Sequence, residues 1–245
     1  MGKLYVVGFG PGGIEHMTQK CIDVINKADV VTGYTTYVDI LKDYFPDKNY
    51  IATPMMQEVK RCRMAVEEAM KDQTVAMVSS GDSGIYGMAG AIYQVAEEME
   101  ADIEIETVPG VTAASAAASV LGAPLMHDFA VISLSDWLTP KDLIMKRVEL
   151  AGEGDMIVCL YNPKSRTRTD YVDQAAELIM KYRDPSTPAG IVRNAGRKDE
   201  SSVITTLGEL KNADIDMFSI VIIGNSQTYI SGNRMITPRG YKLND

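Results

Sequence analysis

Short apolar runs that stop at small polar residues, each followed by a longer amphipathic segment, constrain this chain more than anything else in its sequence. Leu4–Val7 stops at Gly8, Val75–Val78 at Ser79, and Met156–Leu160 at Tyr161-Asn162-Pro163. Runs of this length match buried strands, while the intervening segments carry helical spacing. In Glu58–Met70, for example, Val59, Cys62, Val66 and Met70 recur at intervals of three and four, which places them on one helix face. Further strands are expected at Asp29–Val31, Tyr50–Ala52, Ile103–Val108, Ala130–Leu134, Gly190–Val192, Val203–Thr206 and Ile220–Ile223. Helices are expected at Ile14–Ile25, Val38–Tyr44, Met88–Met99, Ala113–Val120, Lys141–Leu150 and Thr169–Lys181. Strands alternating with helices indicate an α/β class with parallel or mixed sheets covered by helices. The pattern breaks at Gly122–Phe129, with Pro124 near its start, so this stretch reads as a link between domains 1–123 and 124–245.

Composition narrows the class. Of the 245 residues, 46% are hydrophobic and 23% charged, which excludes a disordered, collagenous or disulfide-stapled chain. The net charge is −9 and unevenly placed: residues 1–125 hold nine basic and seventeen acidic side chains, residues 126–245 fifteen and sixteen. An acidic surface suits neither nucleic acid nor anionic lipid, whose phosphates require a basic face. No run approaches ~20 apolar residues, so no membrane span is expected. The four-residue run before Gly8 is too short for the apolar core of a secretion signal. Cys21, Cys62 and Cys159 are odd in number and scattered, as fits a reducing cytoplasm. With only His16 and His127 besides, no protein-built metal site is expected.

The loops after the apolar runs hold the chemistry. Gly8-Phe9-Gly10-Pro11-Gly12-Gly13 satisfies GxGxxG and opens the reading of an NAD(P)-dependent oxidoreductase. Two features count against it. The second strand runs into Thr32-Gly33-Tyr34 without the acid that holds a ribose hydroxyl, and Pro11 removes an amide from the cradle. What stands is that glycines let backbone approach a ligand at a strand's carboxyl end. Ser79-Ser80-Gly81-Asp82-Ser83-Gly84-Ile85-Tyr86-Gly87 is a second such loop. Its Asp82 either accepts from a ribose diol or an ammonium, or caps a turn and helix. In Val108–Ser119, small residues let a helix sit close to a sheet or a flat ligand. Lys164, Arg166 and Arg168 alternate, so in an extended loop they face one way, a comb suited to a ligand with several carboxylates. The plainer reading is a solvated surface loop. Arg193-Asn194-Ala195-Gly196-Arg197-Lys198 repeats the arrangement. GxSxG, Walker A and paired-histidine motifs are absent from the sequence.

Taken in order, Val7–Gly12, Ser80–Tyr86, Pro109–Ala113, Leu160–Asn162 and Val192–Ala195 resemble the tetrapyrrole (precorrin) methylases. GYTTYVDIL at 33–41, SSGDSGIYGMAG, SLSDWLTP at 133–140, LYNPKSRTR and IVRNAGR are similar to the branch that methylates C-17 and contracts the ring in cobalamin biosynthesis. Methylation at another ring carbon is the alternative. The resemblance implies two α/β domains with the active site in the cleft between them, in a homodimer. It implies S-adenosylmethionine as methyl donor, released as S-adenosylhomocysteine, and a tetrapyrrole substrate that brings any cobalt with it. By motif, Pro11, Ser80, Gly81, Asp82, Ile85, Thr112 and Ala113, with Tyr161, Asn162 and Ala195, would line the cofactor. Gly10 and Gly12 would face the tetrapyrrole, and Lys164, Arg166, Arg168, Arg193 and Arg197 would receive its carboxylates beside Ser133 and Ser135. The family's acid after GxGPG is Gly13 here, and its acid after the second strand is Tyr34. Tyr34 and His127 are therefore the candidates for proton transfer.

Overall fold

A computed structural model describes residues 1–242. The chain divides into two compact units, residues 1–113 and from Ala114 onward. In the first, β1 (Lys3–Gly8), β2 (Val30–Tyr34), β3 (Asn49–Thr53), β4 (Thr74–Ser79) and β5 (Glu104–Val108) form one sheet in the order β3-β2-β4-β1-β5. Every pairing is parallel. The crossovers are α1 (Gln19–Lys27), α2 (Thr35–Lys42), α3 (Glu58–Ala69) and α4 (Ala89–Glu98). From β1 to β3 the chain moves one way across the sheet, and from β3 to β5 it moves back. Right-handed crossovers then put α1 and α2 on one face and α3 and α4 on the other. The strands obey the two-residue period: Leu4, Val6, Val75 and Met77 pack with α3 and α4, whereas Val7, Ala76 and Val78 pack with α1 and α2. Each such Val, Leu or Met side chain, fully buried, contributes about 1.5–3 kcal/mol.

Two helices differ from the sequence pattern. The segment expected as one helix over Ile14–Ile25 is split. Ile14–His16 is a single 3-10 turn, and Thr18 then caps α1 by accepting the Cys21 amide at 3.1 Å. On α3 the buried face is Arg61, Cys62, Ala65, Val66 and Ala69, while Val59 and Met70 are exposed. The stripe is rotated because small alanines, not the larger Val59 and Met70, fit against the sheet.

The second unit contains most of α5 (Ala113–Leu121) and the strands β6 (Gly122–Ala123), β7 (Phe129–Ser133), β8 (Ile157–Tyr161), β9 (Pro188–Arg193), β10 (Ser201–Thr206), β11 (Ser219–Ile223), β12 (Tyr229–Ser231) and β13 (Arg234–Ile236). Helices α6 (Lys141–Glu153) and α7 (Tyr171–Ile179) cover its main sheet, β10-β9-β11-β8-β7. There β7, β8 and β9 run together, with β10 and β11 opposed. The small residues of α5 serve close packing. Ala114, Ala116, Ala117 and Ala118 are buried, and a Cβ at Gly190 of β9 would lie 2.4 Å from Leu121. The Gly122–Phe129 stretch is not a plain link, because β6 joins β13 and β12 in a third sheet. Inside this unit Arg183 donates to the carbonyls of Gly224 and Ala151, at 2.5 and 3.2 Å, and to that of Met156.

Candidate functional site

In the first sheet, the chain leaves β1 toward β2 and leaves β4 toward β5. The crevice outside the carboxyl ends at such a reversal is where open α/β sheets take ligands. All the first unit's candidate residues emerge at this edge. Gly10–Gly12 follow β1, Tyr34 ends β2, Ser80–Ile85 follow β4, and Thr112 and Ala113 follow β5. Backbone bonds lace the loops together: Phe9 N donates to Ser79 O at 3.0 Å, Gly10 N to Gly81 O at 3.0 Å, and Val111 N to Gly10 O at 3.3 Å. A Cβ on Gly10 would stand 2.2 Å from Gly81 Cα, and one on Gly110 would stand 2.3 Å from Gly81 O. The GxGxxG-like spacing thus serves loop-on-loop packing. Gly13 lacks this constraint, since the nearest atoms to its Cβ belong to the movable Glu15 carboxylate.

Asp82 is the polar centre of this arrangement. Its Oδ1 accepts the amides of Gly84 and Ile85 at 2.8 and 3.1 Å, and its Oδ2 accepts the amide of Gly110 at 3.0 Å. One carboxylate therefore closes the β4 loop and ties it to the β5 loop. Ser83, fully buried, adds a second tie through its hydroxyl to Val108 O at 3.0 Å. Gly81 holds φ +72°, and the space its missing side chain leaves is bounded by Thr112 and Ala113 at 3.9 Å. Ile85 and Tyr86 lie exposed beyond it. Across the same edge runs an aromatic row: Phe9 and Tyr37 meet edge to face at 5.8 Å, and Tyr37 and Tyr34 at 5.2 Å. Arg61, which the sequence pattern does not single out, ends the row with its guanidinium carbon 5.9 Å from the Tyr34 ring centroid. The signal in the sequence was its spacing from Ala65 and Ala69, four and eight positions on.

In the second unit, the parallel strands β7, β8 and β9 carry Ser133 and Ser135, Tyr161 to Arg168, and Arg193 to Arg197 to one sheet edge. Asn162 Nδ2 donates to Ser133 Oγ at 2.9 Å, so these two candidates touch. The Tyr161 hydroxyl accepts the Ala114 amide at 2.7 Å, satisfying a donor in the first turn of α5. Ala195 sits in the hairpin turn between β9 and β10, where Arg197 N donates to Asn194 O at 2.9 Å. The cationic comb does not form. Ser165 N bonds Arg168 O at 3.1 Å, so the loop is a turn rather than an extended strand. Lys164 is half-buried and Arg166 exposed, but Arg168 turns inward. Its Nη1 donates to Leu134 O and Asn162 O at 2.8 and 2.9 Å, and its Nε lies 3.4 Å from Asp136. Arg193 pairs with Asp216 at 2.9 Å. Arg168→Ala is expected to destabilise the protein by about 1–2 kcal/mol, as two carbonyls lose a charged donor. A lower urea midpoint at unchanged slope would show it.

His127 stands apart from these residues. It precedes β7 beside Asp155 and Met156, which precede β8, and Asn225, which follows β11. That is the opposite end of the second sheet from Ser133 and Asn162, about 16 Å away along a five-residue strand. Its Nδ1 accepts the Asp128 amide at 3.0 Å, which leaves the neutral ring's proton on Nε2.

Comparison with known proteins shows the family. The sequence pattern of the tetrapyrrole (corrin/porphyrin) methylases matches residues 3–211. The chain is 47% identical to a probable cobalt-factor III C(17)-methyltransferase of Salmonella typhimurium, over 98% of this chain and all of that one. It is 46% identical to the cobalt-factor III methyltransferase of Priestia megaterium, over 98% of this chain but 45% of that longer protein. To the precorrin-3B C(17)-methyltransferase of a Sinorhizobium species it is 38% identical, over 98% of this chain and 97% of that one. Among solved structures, the methyltransferase CobJ superposes with a TM-score of 0.91 at 31% identity, covering 97% of this chain and 100% of that one. Matched by the family pattern over most of its length and nearly half identical to a relative along the whole chain, this protein belongs to the tetrapyrrole (corrin/porphyrin) methylase family.

Proposed function

We propose that this protein is a methyltransferase of cobalamin biosynthesis that uses S-adenosylmethionine to methylate C-17 of a tetrapyrrole and contract its ring, with cobalt-factor III as substrate. The observation that carries this is the end-to-end kinship with C-17 methyltransferases. Identity is higher to the relatives named for cobalt-factor III than to the one named for precorrin-3B, which favours a substrate that already holds cobalt.

The first unit's loops suit the methyl donor. Gly81, without a side chain and at φ +72°, lets a ligand approach its backbone closely, and exposed Ile85 offers apolar contact. Asp82 Oδ2 has accepted a single bond and retains acceptor capacity for a hydroxyl or ammonium. Ser80 precedes Gly81 and Pro11 follows Gly10, whose amide bonds Gly81 O, and Tyr161, Asn162 and Ala195 are proposed to contribute from the second unit. S-adenosylmethionine, when bound, supplies an electrophilic methyl on a sulfonium. The electron-rich macrocycle is the nucleophile, so the chain need not provide one. Its contribution is to hold both partners in line and to exclude water, and loops laced by backbone bonds are already ordered for that task. Gly10 and Gly12, with Ser133, Ser135, Lys164, Arg166, Arg193 and Arg197, remain the proposed substrate contacts. Arg168 acts at one remove, by shaping the loop that carries Lys164. Tyr34, at the edge where the substrate would lie, is the proposed proton carrier in ring contraction. His127, at the other end of its sheet, is left out. A homodimer in a reducing cytoplasm completes the proposal; the three buried free thiols support the compartment.

The test is incubation with methyl-labelled S-adenosylmethionine and cobalt-factor III. Label in the tetrapyrrole, with one S-adenosylhomocysteine released per methyl, is the expected result. Folded protein that transfers no label overturns it.

A further inference from the structure

The fold leaves one buried side chain of α3 unexplained. Arg61 is only 4% exposed. Its Nε donates to Thr53 Oγ1 at 2.8 Å and its Nη2 to Pro54 O at 3.1 Å. Both acceptors are neutral, and no carboxylate pairs with Arg61 among the described residues. Burial lowers its pKa from the ordinary guanidinium value, opposed chiefly by Glu58 one turn earlier. Glu58 itself is turned to the loop, accepting the Met56 amide at 3.2 Å. Buried cations are normally paired, because an unpaired one keeps its whole desolvation cost. A guanidinium has five N–H groups in a planar fork, so two bonds leave a donor edge unspent. That edge is not sealed in the core: among the described residues, the fully buried side-chain atoms without partners belong to Gln73, Ser79 and Arg183.

The surroundings point outward. Thr53 and Tyr34 are register partners at the carboxyl ends of β3 and β2, so the cation sits at the ligand edge of the first sheet. The β3–α3 loop presents Met55 and Met56, 50% and 65% exposed. Met56 holds φ +65°, a backbone conformation rare for a residue with a side chain. Exposed thioethers in a strained loop beside an unpaired cation fit a ligand that is both flat and acidic.

We infer that Arg61 receives a peripheral carboxylate of the tetrapyrrole, while Met55 and Met56 cover part of its ring face. The inference rests on the substrate reading above and adds an anchor in the first unit, separate from the cations of the second. A carboxylate supplies the counter-charge that the fold omits, and two parallel N–H···O bonds orient the macrocycle rather than merely attract it.

The test titrates wild type, Arg61→Met and Arg61→Lys with cobalt-factor III by absorbance and with S-adenosylhomocysteine by calorimetry. Arg61→Met is expected to weaken tetrapyrrole binding about 10- to 100-fold, the range of a lost charge-assisted bond. Arg61→Lys should restore part of it, because a point charge replaces the fork. S-adenosylhomocysteine affinity should stay unchanged. Equal tetrapyrrole affinity in all three proteins overturns the anchor and leaves the function standing. Wild type that binds no tetrapyrrole overturns the substrate reading itself. Should Arg61→Met fail to fold, arginine side-chain NMR of wild type decides. A shift of the Arg61 signal on adding metal-free factor III supports the anchor, and binding without any shift overturns it.

Discussion

Gly10→Ala is expected to lower methyl transfer at least ~100-fold, the scale on which small misplacements of a reacting pair act. The added carbon would meet Gly81 N and Cα at 2.2 Å, and both are backbone atoms that cannot swing aside. The β1 loop would have to lift away from the β4 loop, breaking the bond from Gly10 N to Gly81 O. Gly81 would move with it, and with Gly81 the space toward Thr112 and Ala113. Forced overpacking of this kind costs about 3 kcal/mol, which a thermal melt should register as a fall of roughly 10 °C. Gly13→Ala is the internal control. The nearest atoms to its Cβ belong to the movable Glu15 carboxylate, so activity and melting temperature should stay near wild type. If Gly10→Ala were as active and as stable as Gly13→Ala, the packing role assigned to the glycine loop would be wrong.

Asp82→Ala comes next in size, and its value is that it separates two roles. As the organiser of three amides, the carboxylate should matter even with no ligand present. Its loss leaves Gly84, Ile85 and Gly110 without their acceptor, at a cost of about 2 kcal/mol, since water reaches part of the loop and compensates. S-adenosylhomocysteine affinity should fall about 10- to 100-fold as the loop loses its order. Asp82→Asn should fall between: one carbonyl oxygen can still accept Gly84 and Ile85, but an amide nitrogen then faces the Gly110 N–H. A ligand-free protein that melts like wild type while losing affinity would show instead that Asp82 acts only on the cofactor.

Much of the site was legible in the sequence because a parallel sheet sends successive strands' carboxyl ends to one edge. Residues that follow Leu4–Val7, Val75–Val78 and Val108 must therefore meet, whatever their separation. What stayed hidden depended on facts that spacing does not encode. Thr18 as a cap cut the first helical segment in two. On α3, alanines weigh little in a hydrophobic pattern, so the stripe drawn through Val59 and Met70 missed the face that buries Arg61. The cationic comb assumed an extended loop, but the turn at Ser165 sends Arg168 inward to backbone carbonyls. His127 lies within the expected link in sequence, yet only the strand directions reveal which end of the sheet it occupies. The β12–β13 hairpin did have a signal, the Gly232-Asn233 pair with Gly232 at φ +59°, but its three-residue strands are too short to show a period.

The strand order of the first unit also dictates a timetable. Lys3 pairs with Thr74 on one side and Glu104 on the other, so the earliest strand to be synthesised is among the last to be enclosed. On the ribosome, at about 5–20 residues per second, Leu4–Val7 waits for about 5–20 s before β5 has been made. The β9–β10 and β12–β13 hairpins need no such delay, since their partners are neighbours in the chain. Non-local pairing of this kind is slow and leaves an apolar strand open to the wrong partner. For this chain, the nascent N-terminal half is the stage at which chaperones, temperature and expression rate have the most influence on yield.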